Sequence, residues 1–315
     1  MKARTAQVKK MAVYLFAAFI FTCCGGRTLF AGPITIFNGT AEPVKKGKFI
    51  VETHYGYYQN ELVKNTAYWG LVEGNGGMDN INDLNTKYIV QAYTSEFYYA
   101  FTDRFLAGIV VPYVVRHVKT PAHFGGNQVS SNGFGDMSGR FCFNILDPKK
   151  AFIGFSIAGA VVAPTGSEDD NPPRGNGRVE LIAGALFTKI VNKKLKLHLT
   201  LCYDWMLKNN KYKYWQQYSR LDAGDEFHFG VVAEYALFKK LHLICEVNGW
   251  IAPESRDRHG KKIPYTDCQK IDIVPGIKYK INDNITFELA LNVTLKPDSD
   301  FDYYVAPEVG FTFVF

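Results

Sequence analysis

Long segments in which apolar and polar residues alternate recur throughout this chain. In LKLHLTLCYDW (residues 195–205) every second residue is large and apolar, while Lys196, His198 and Asp204 occupy the positions between. The segment ITFELALNVTLK (residues 285–296) repeats the pattern. Successive side chains of a strand point to opposite faces, so these segments predict β-strands with one apolar and one polar face.

The length of the alternating segments distinguishes membrane-spanning strands from those of a soluble sandwich. Strands of soluble sandwiches also alternate, but they average about five or six residues. A tilted strand that crosses a bilayer needs about 9–11 residues, and aromatic residues gather where it meets the interface. The segment at 195–205 has this length and ends on Tyr203 and Trp205. The pattern therefore favours transmembrane strands.

The links between the segments alternate between short and long. Short links include 147–150 and 192–194, and long ones include 119–133 and 209–224. This is the layout of an outer-membrane barrel, in which closure satisfies every backbone hydrogen bond. We predict an all-β fold, an antiparallel up-and-down transmembrane β-barrel over residues 48–315, with both termini at the periplasmic, short-turn rim. The twelve predicted strands lie near residues 48–59, 88–101, 104–117, 134–146, 151–165, 178–190, 194–207, 225–237, 240–252, 269–281, 284–296 and 302–315.

The N-terminal residues 1–31 have the three-part layout of a secretory signal peptide. Four basic residues precede an apolar stretch at 11–22, and small residues lead to a cleavage site after Ala31. About a dozen apolar residues are too few to span ~30 Å of hydrocarbon as a helix. Residues 32–47 are predicted to lie in the periplasm or to enter the barrel as a plug.

Removal of this segment changes the charge of the protein. It contains five basic residues and no acidic one, which leaves 31 basic and 30 acidic residues in place of 36 and 30. The excess of positive charge therefore belongs to the export signal and predicts no nucleic-acid partner. The remaining cysteines form no CxxC pair, and no disulfide pairing can be assigned from them.

The chain ends on EVGFTFVF, with Phe residues at alternate positions. Glu308, Gly310, Phe311, Phe313 and Phe315 match the C-terminal signal by which outer-membrane proteins are recognised for insertion. We expect the rings to face lipid and the last strand to pair with the first. The predicted partners are outer-membrane lipids and the barrel-assembly machinery, and the predicted location is the outer membrane of a Gram-negative bacterium.

The polar faces of the strands are predicted to line the lumen. Their mixed charges indicate no strong anion or cation filter. Two interpretations are open: cross-strand pairs with a structural role, or a charged constriction that selects solutes. The candidate lumen residues are Glu52, His54, Arg104, Arg116, Asp136, Arg140, Glu180, Lys196, His198, Asp204, Glu226, His228, Glu234, His242, Glu246, Asp272, Lys278, Glu288 and Lys296.

No motif indicates catalysis, a cofactor or a metal. The four strand histidines fall on different strands, and no HExxH motif or Cys/His cluster is present. Ser138, Ser156 and His198 lie on suitable faces for a lipid hydrolase, but nothing further connects them. We therefore predict that the protein is not an enzyme and has no catalytic, cofactor-binding or metal-binding residues.

Three segments together resemble a known family. FGDMSGRF (residues 134–141) begins a strand, VVAPTGSEDD (161–170) ends the next strand, and TDRFLAGIVVPY (102–113) forms an earlier turn and strand. Over residues 46–315 the chain resembles the outer-membrane "MetA-pathway of phenol degradation" family. This resemblance implies channel-type uptake of small compounds, and it carries over no substrate residue.

These observations predict an outer-membrane channel or transporter for passive passage of small solutes, hydrophobic or aromatic ones included. One alternative is a surface adhesion protein whose outer loops bind a partner, with the barrel as a mount. A lipid-modifying enzyme is another. Barrels of about eight strands are filled by side chains, and those of about sixteen are open. Twelve strands therefore predict a narrow or plugged passage.

Overall fold

A computed structural model describes residues 40–62, 86–119, 128–167, 170, 174–175, 177–207, 225–254, 268–296 and 305–315. Antiparallel β-strands account for most of these residues. No helix in these ranges has the length and apolar character needed to cross a membrane. The strands are β1 Phe49–Leu62, β2 Thr86–Ala100, β3 Phe105–Lys119, β4 Gln128–Phe134, β5 Met137–Leu146, β6 Gly154–Ala163, β7 Glu180–Ile190, β8 Leu195–Met206, β9 Glu226–Ala236, β10 Leu241–Ala252, β11 Cys268–Asn282, β12 Ile285–Lys296 and β13 Val305–Val314.

The sheet closes on itself. From β5 to β13 each strand pairs with the next along the chain, and β1 pairs with both β2 and β13. The closing register runs from Ile50 opposite Val314 to Gly56 opposite Glu308. Closure gives the backbone of the first and last strands partners on both sides, as hydrocarbon requires. The predicted twelve-strand barrel is confirmed, with one strand more than predicted.

The additional strand arises because one position in the barrel wall is shared by two segments. β4 pairs with β3 from Tyr113 to Lys119, whereas β5 pairs with β3 from Phe105 to Val110. Gly135 and Asp136 lie between the two segments. The prediction that all of residues 119–133 form a loop was wrong, because residues 128–133 belong to β4. Its sequence, QVSSNGF, lacks the long apolar alternation by which the other strands were recognised.

The short links form tight turns at one rim of the barrel. The side chains of Asn192, Asp147 and Asn282 each accept a hydrogen bond from a backbone N–H two residues later, at 2.8–2.9 Å. Asn and Asp favour turns because their side chains can replace a backbone acceptor in this way. The long links at the other rim fall largely outside the described residues.

Burial alternates along the strands in the sense opposite to that of a soluble sheet protein. On β8, His198 is 3% and Asp204 0% exposed, whereas Leu197 is 40% and Trp205 44% exposed. In a single-layer barrel a buried side chain in the wall points to the inside, so the polar face is the inner one. The apolar face is the outer one, as expected for a barrel surrounded by lipid.

The C-terminal residue completes the seam between the first and last strands. The N–H of Phe315 donates to the carbonyl of Phe49 at 2.8 Å, and the N–H of Phe49 donates to the carbonyl of Phe315 at 3.3 Å. The two rings lie 6.2 Å apart. Phe311 similarly lies 5.2 Å from the ring of Phe287 on the neighbouring strand. The insertion signal itself stays a prediction.

Replacing Phe315 by Ala is expected to reduce the amount of folded barrel. The substitution removes the ring contact with Phe49, and aromatic pairs contribute about 0.5–1.5 kcal/mol beyond their buried area. The measurement is the heat-modifiable gel mobility of protein extracted from outer membranes. Phe238→Ala, in an exposed turn, is the matched control. Equal folded fractions for the two variants would contradict a specific role of the terminal ring.

Candidate functional site: the barrel lumen

The inner surface of the barrel has an apolar side. Sequence reasoning missed it, because only charged residues were taken as lumen candidates. The signal was present in GFSIAGAVVA of β6, where both faces are mostly apolar or small, so the inward face must be apolar too. The buried apolar residues on strands β2, β3, β6 and β7 are Tyr98, Val110, Val114, Ala158, Ala160, Ile182 and Leu186.

Most of the predicted lumen residues are buried or half-buried in the wall. Arg104 is exposed in the turn before β3, and Lys296 ends β12 with a side chain outside the described part. The buried candidates are His54, Arg116, Asp136, Glu180, His198, Asp204, Glu234, His242, Glu246, Asp272 and Glu288, and Glu308 of the C-terminal segment joins them. The half-buried candidates are Glu52, Arg140, Lys196, Glu226, His228 and Lys278.

One charged cluster joins β2 to β5 across the lumen side of β3. Glu96, which is 1% exposed, accepts hydrogen bonds from the Tyr98 hydroxyl and from Arg140 Nη1, the latter at 3.4 Å. Arg140 Nε also donates to Ser138 Oγ at 3.2 Å. Inward Gly108 of β3 makes room for this cluster, because a Cβ there would collide with the Tyr98 ring. The sequence search overlooked Glu96.

Further ion pairs lie on the opposite side of the barrel. Lys278 Nζ is 3.1 Å from Glu288 Oε1 across β11 and β12. His242 Nδ1 is 2.6 Å from Glu234 Oε1 across β10 and β9. A buried charge is tolerated when it is paired in this way. These contacts are of the kind that the cross-strand pairing interpretation requires.

The chain before β1 enters the short-turn end of the barrel. The N–H of Ala41, which is fully buried, donates to Thr188 Oγ1 at 2.8 Å, and its carbonyl accepts from Asn144 Nδ2 at 2.6 Å. Lys196 Nζ lies 2.8 Å from Glu42 Oε2. Residues 40–42 therefore contact side chains of β5, β7 and β8.

A cavity lies beside this segment. It holds about 200 Å³ and is lined by Glu42 and Val44 of the N-terminal segment and by Glu52, Arg104 and Lys278 of the barrel, among others. Three of the predicted lumen residues therefore meet at one space. Both charged and apolar groups border it.

Two of the family motifs meet at the break between β4 and β5. The carboxylate of Asp136 accepts a hydrogen bond from the N–H of Gly166 at 2.9 Å. The Thr165 hydroxyl donates to the carbonyl of Gly135 at 2.9 Å and accepts from the N–H of Met137 at 2.8 Å. The PTG segment thus supplies hydrogen-bond partners at the point where the strand is interrupted.

The serines considered for a hydrolase are bonded to other groups. Ser138 accepts a hydrogen bond from Arg140, and Ser156 accepts one from Asn144 at 3.1 Å. Both donors lie on β5. Neither contact involves a histidine, so these hydrogen bonds do not form the serine–histidine pair that a nucleophile requires.

The fold and the lumen define the class of this protein, a closed outer-membrane β-barrel. The sequence profile of the family described as "Putative MetA-pathway of phenol degradation" matches residues 74–300. The chain belongs to this family, which confirms the resemblance noted in the motifs. No curated protein sequence matches the chain significantly.

Solved structures show the same fold at low sequence identity. The COG4313 outer membrane channel from Pseudomonas putida F1 is 15% identical, with a TM-score of 0.69 over 91% of this chain and 100% of that one. The β domain of the Bordetella autotransporter BrkA is 7% identical, with a TM-score of 0.50 over 86% of this chain and 100% of that one. The Ralstonia pickettii toluene transporter TbuX is 11% identical, with a TM-score of 0.42 over 86% of this chain and 90% of that one.

Gly175→Ala is expected to destabilise the barrel. An added Cβ would lie 2.8 Å from the Gly166 carbonyl oxygen and would meet the carboxylate of Asp136, and overpacking of this kind costs about 1–3 kcal/mol. Gly139→Ala is the matched control, because its Cβ would meet nothing within 4 Å. Thermal unfolding in detergent measures the difference. A Gly175 variant as stable as the Gly139 variant would contradict the tight contact.

Proposed function

We propose that this protein is an outer-membrane channel for the passive passage of small solutes, hydrophobic and aromatic ones included. The observation that carries the proposal is the two-sided lumen. Buried apolar side chains cover β2, β3, β6 and β7, and buried polar side chains cover most of β8 to β13. A solute with an apolar ring and a polar group could contact both sides at once. The name of the family, which refers to phenol degradation, agrees with such a solute.

We further propose that residues 1–31 direct export and that the mature protein resides in the outer membrane of a Gram-negative bacterium. The three-part layout of this segment supports export. The exposed apolar belt supports a lipid environment, because apolar patches of that size are not left in water by monomeric soluble proteins. Passive passage requires no catalytic group, so we propose no enzymatic role.

Neutral aromatic solutes are expected to enter proteoliposomes faster than sugars of similar size. The measurement is liposome swelling with the purified protein. Val114→Asn, which places an amide in the apolar side of the lumen, is expected to slow the aromatic solute more than the sugar. Burying an amide that lacks a partner costs about 1–3 kcal/mol.

The control for this experiment is Asn292→Asp, a change in polarity on the polar side of the lumen, where Asn292 is fully buried. It is expected to leave the ratio of aromatic to sugar flux nearly unchanged. Liposomes that never swell, with either solute, would contradict the channel. Equal rates for both solutes in the wild-type protein would contradict the selectivity.

We propose that the N-terminal segment narrows the passage as a partial plug. Ala41 and Glu42 are anchored to β5, β7 and β8 by the contacts with Asn144, Thr188 and Lys196. The segment lies at the short-turn rim, where a solute would leave the lumen for the periplasm. The charged constriction considered from the sequence remains a second means of narrowing the same passage.

Deleting residues 32–44 from the mature chain is expected to raise single-channel conductance in planar bilayers, because the described part of that segment, residues 40–44, borders the cavity. Lys196→Gln, which removes the ion pair with Glu42 at 2.8 Å, is expected to produce a smaller increase or more frequent transitions. Val191→Ala, in an exposed turn, is the control. Unchanged conductance after the deletion would contradict the plug.

A further inference from the structure

Three potential metal ligands meet at the long-loop end of β8 and β9. Asp204 lies directly opposite Glu226 in the register of the two strands, and His228 follows two residues later on the same face of β9. One ligand atom from each residue lies within 4.8 Å of the other two. His228 Nε2 is 3.1 Å from Glu226 Oε2. Cross-strand pairing thus assembles a group that residues scattered in the sequence did not reveal.

The carboxylate of Asp204 points to a ligand that the protein itself does not supply. The side chain is 0% exposed, and neither oxygen has a hydrogen-bond partner among the described residues. A buried carboxylate without donors is costly, by several kcal/mol for an ion taken out of water. Either a proton or a cation must compensate for it.

The charges that face Asp204 are mainly negative. Glu180, Glu226 and Asp225 are close enough to interact with it unfavourably, and Arg178 is the described cation that opposes them. Arg178 Nε, however, lies 3.4 Å from Glu180 Oε1, and its Nη2 lies 2.9 Å from Met206 Sδ. Arg178 is therefore shared with Glu180, and the group as a whole attracts positive charge.

The ligand types favour a first-row transition metal over Ca²⁺ or Mg²⁺. An imidazole nitrogen with two carboxylates suits Zn²⁺ and its neighbours, whereas Ca²⁺ and Mg²⁺ prefer oxygen ligands alone. The side chains of Glu226 and His228 are 21% and 16% exposed, so water can reach the group and complete a four-coordinate site.

We propose that Asp204, Glu226 and His228 bind a divalent transition-metal ion at the outer mouth of the lumen. The ion links β8 to β9 where both strands enter long loops, and it neutralises a carboxylate that the barrel otherwise leaves buried without a donor. Such an ion also places positive charge at the entrance of the passage. The proposal concerns the mouth of the barrel and does not depend on which solute crosses it.

The test is titration of the metal-stripped, detergent-solubilised protein with ZnCl₂ by calorimetry, followed by titration with CaCl₂. One Zn²⁺ per chain is expected, with Ca²⁺ bound far more weakly. Asp204→Asn and His228→Gln are expected to weaken Zn²⁺ binding by roughly a hundredfold or more, since loss of even an outer-shell partner commonly costs about 10–100-fold. Zn²⁺ should also raise the unfolding temperature of the wild type and not that of these variants.

Asp225→Asn is the matched control. It removes the same formal charge one residue away from Glu226, but its carboxylate accepts hydrogen bonds from the Tyr203 hydroxyl at 3.0 Å and from the N–H of Met206 at 3.2 Å. Zn²⁺ affinity within a few-fold of wild type is expected for this variant. Heat-modifiable gel mobility verifies that each variant is folded, and Glu226→Gln replaces any variant that is not.

Three results would overturn the proposal. The wild type could bind no Zn²⁺. Binding could persist in both Asp204→Asn and His228→Gln. Binding could instead be lost in His242→Gln, which would assign the ion to the histidines near the short-turn end. Loss of binding in the ligand variants with retention in Asp225→Asn would support it, whether or not the protein conducts solutes.

Discussion

The hydrogen-bonding requirement of the peptide backbone in hydrocarbon is the constraint on which this structure depends. An unpaired N–H or C=O inside a bilayer costs several kcal/mol, so a sheet that crosses it must close. Here closure is achieved by the pairing of β1 with β13, and it ends at the mutual hydrogen bonds of Phe49 and Phe315. Once the sheet is closed, one face of every strand must meet lipid and the other must meet the lumen.

The lumen follows from the same constraint. Side chains turned inward are removed from lipid, so carboxylates and cations are accommodated there in pairs such as Arg140 with Glu96 and Lys278 with Glu288. The apolar side opposite them is not required by solvation. Together with the N-terminal segment at the periplasmic rim, it gives the passage its proposed character, narrow and accessible to aromatic solutes.

Part of this organisation could be predicted from the sequence, and part could not. Period-2 alternation identified eleven strands with errors of a few residues at their ends, because burial on one face and lipid on the other impose it directly. β4 was missed because its polar sequence pairs with the end of β3 alone among the described strands. Glu96 was missed although its strand was recognised, and Asp204, Glu226 and His228 were named separately without the strand register that unites them.

The sequence by itself determined the class of fold, the faces of the strands and the family, because alternation, turn residues and short motifs are local properties of the chain. Only the tertiary structure decided which side chains meet. The contact of Ala41 with Thr188, the meeting of Asp136 with Gly166, and the grouping of Asp204 with His228 all depend on register and closure. Those are set by pairing between distant segments, which no local pattern specifies.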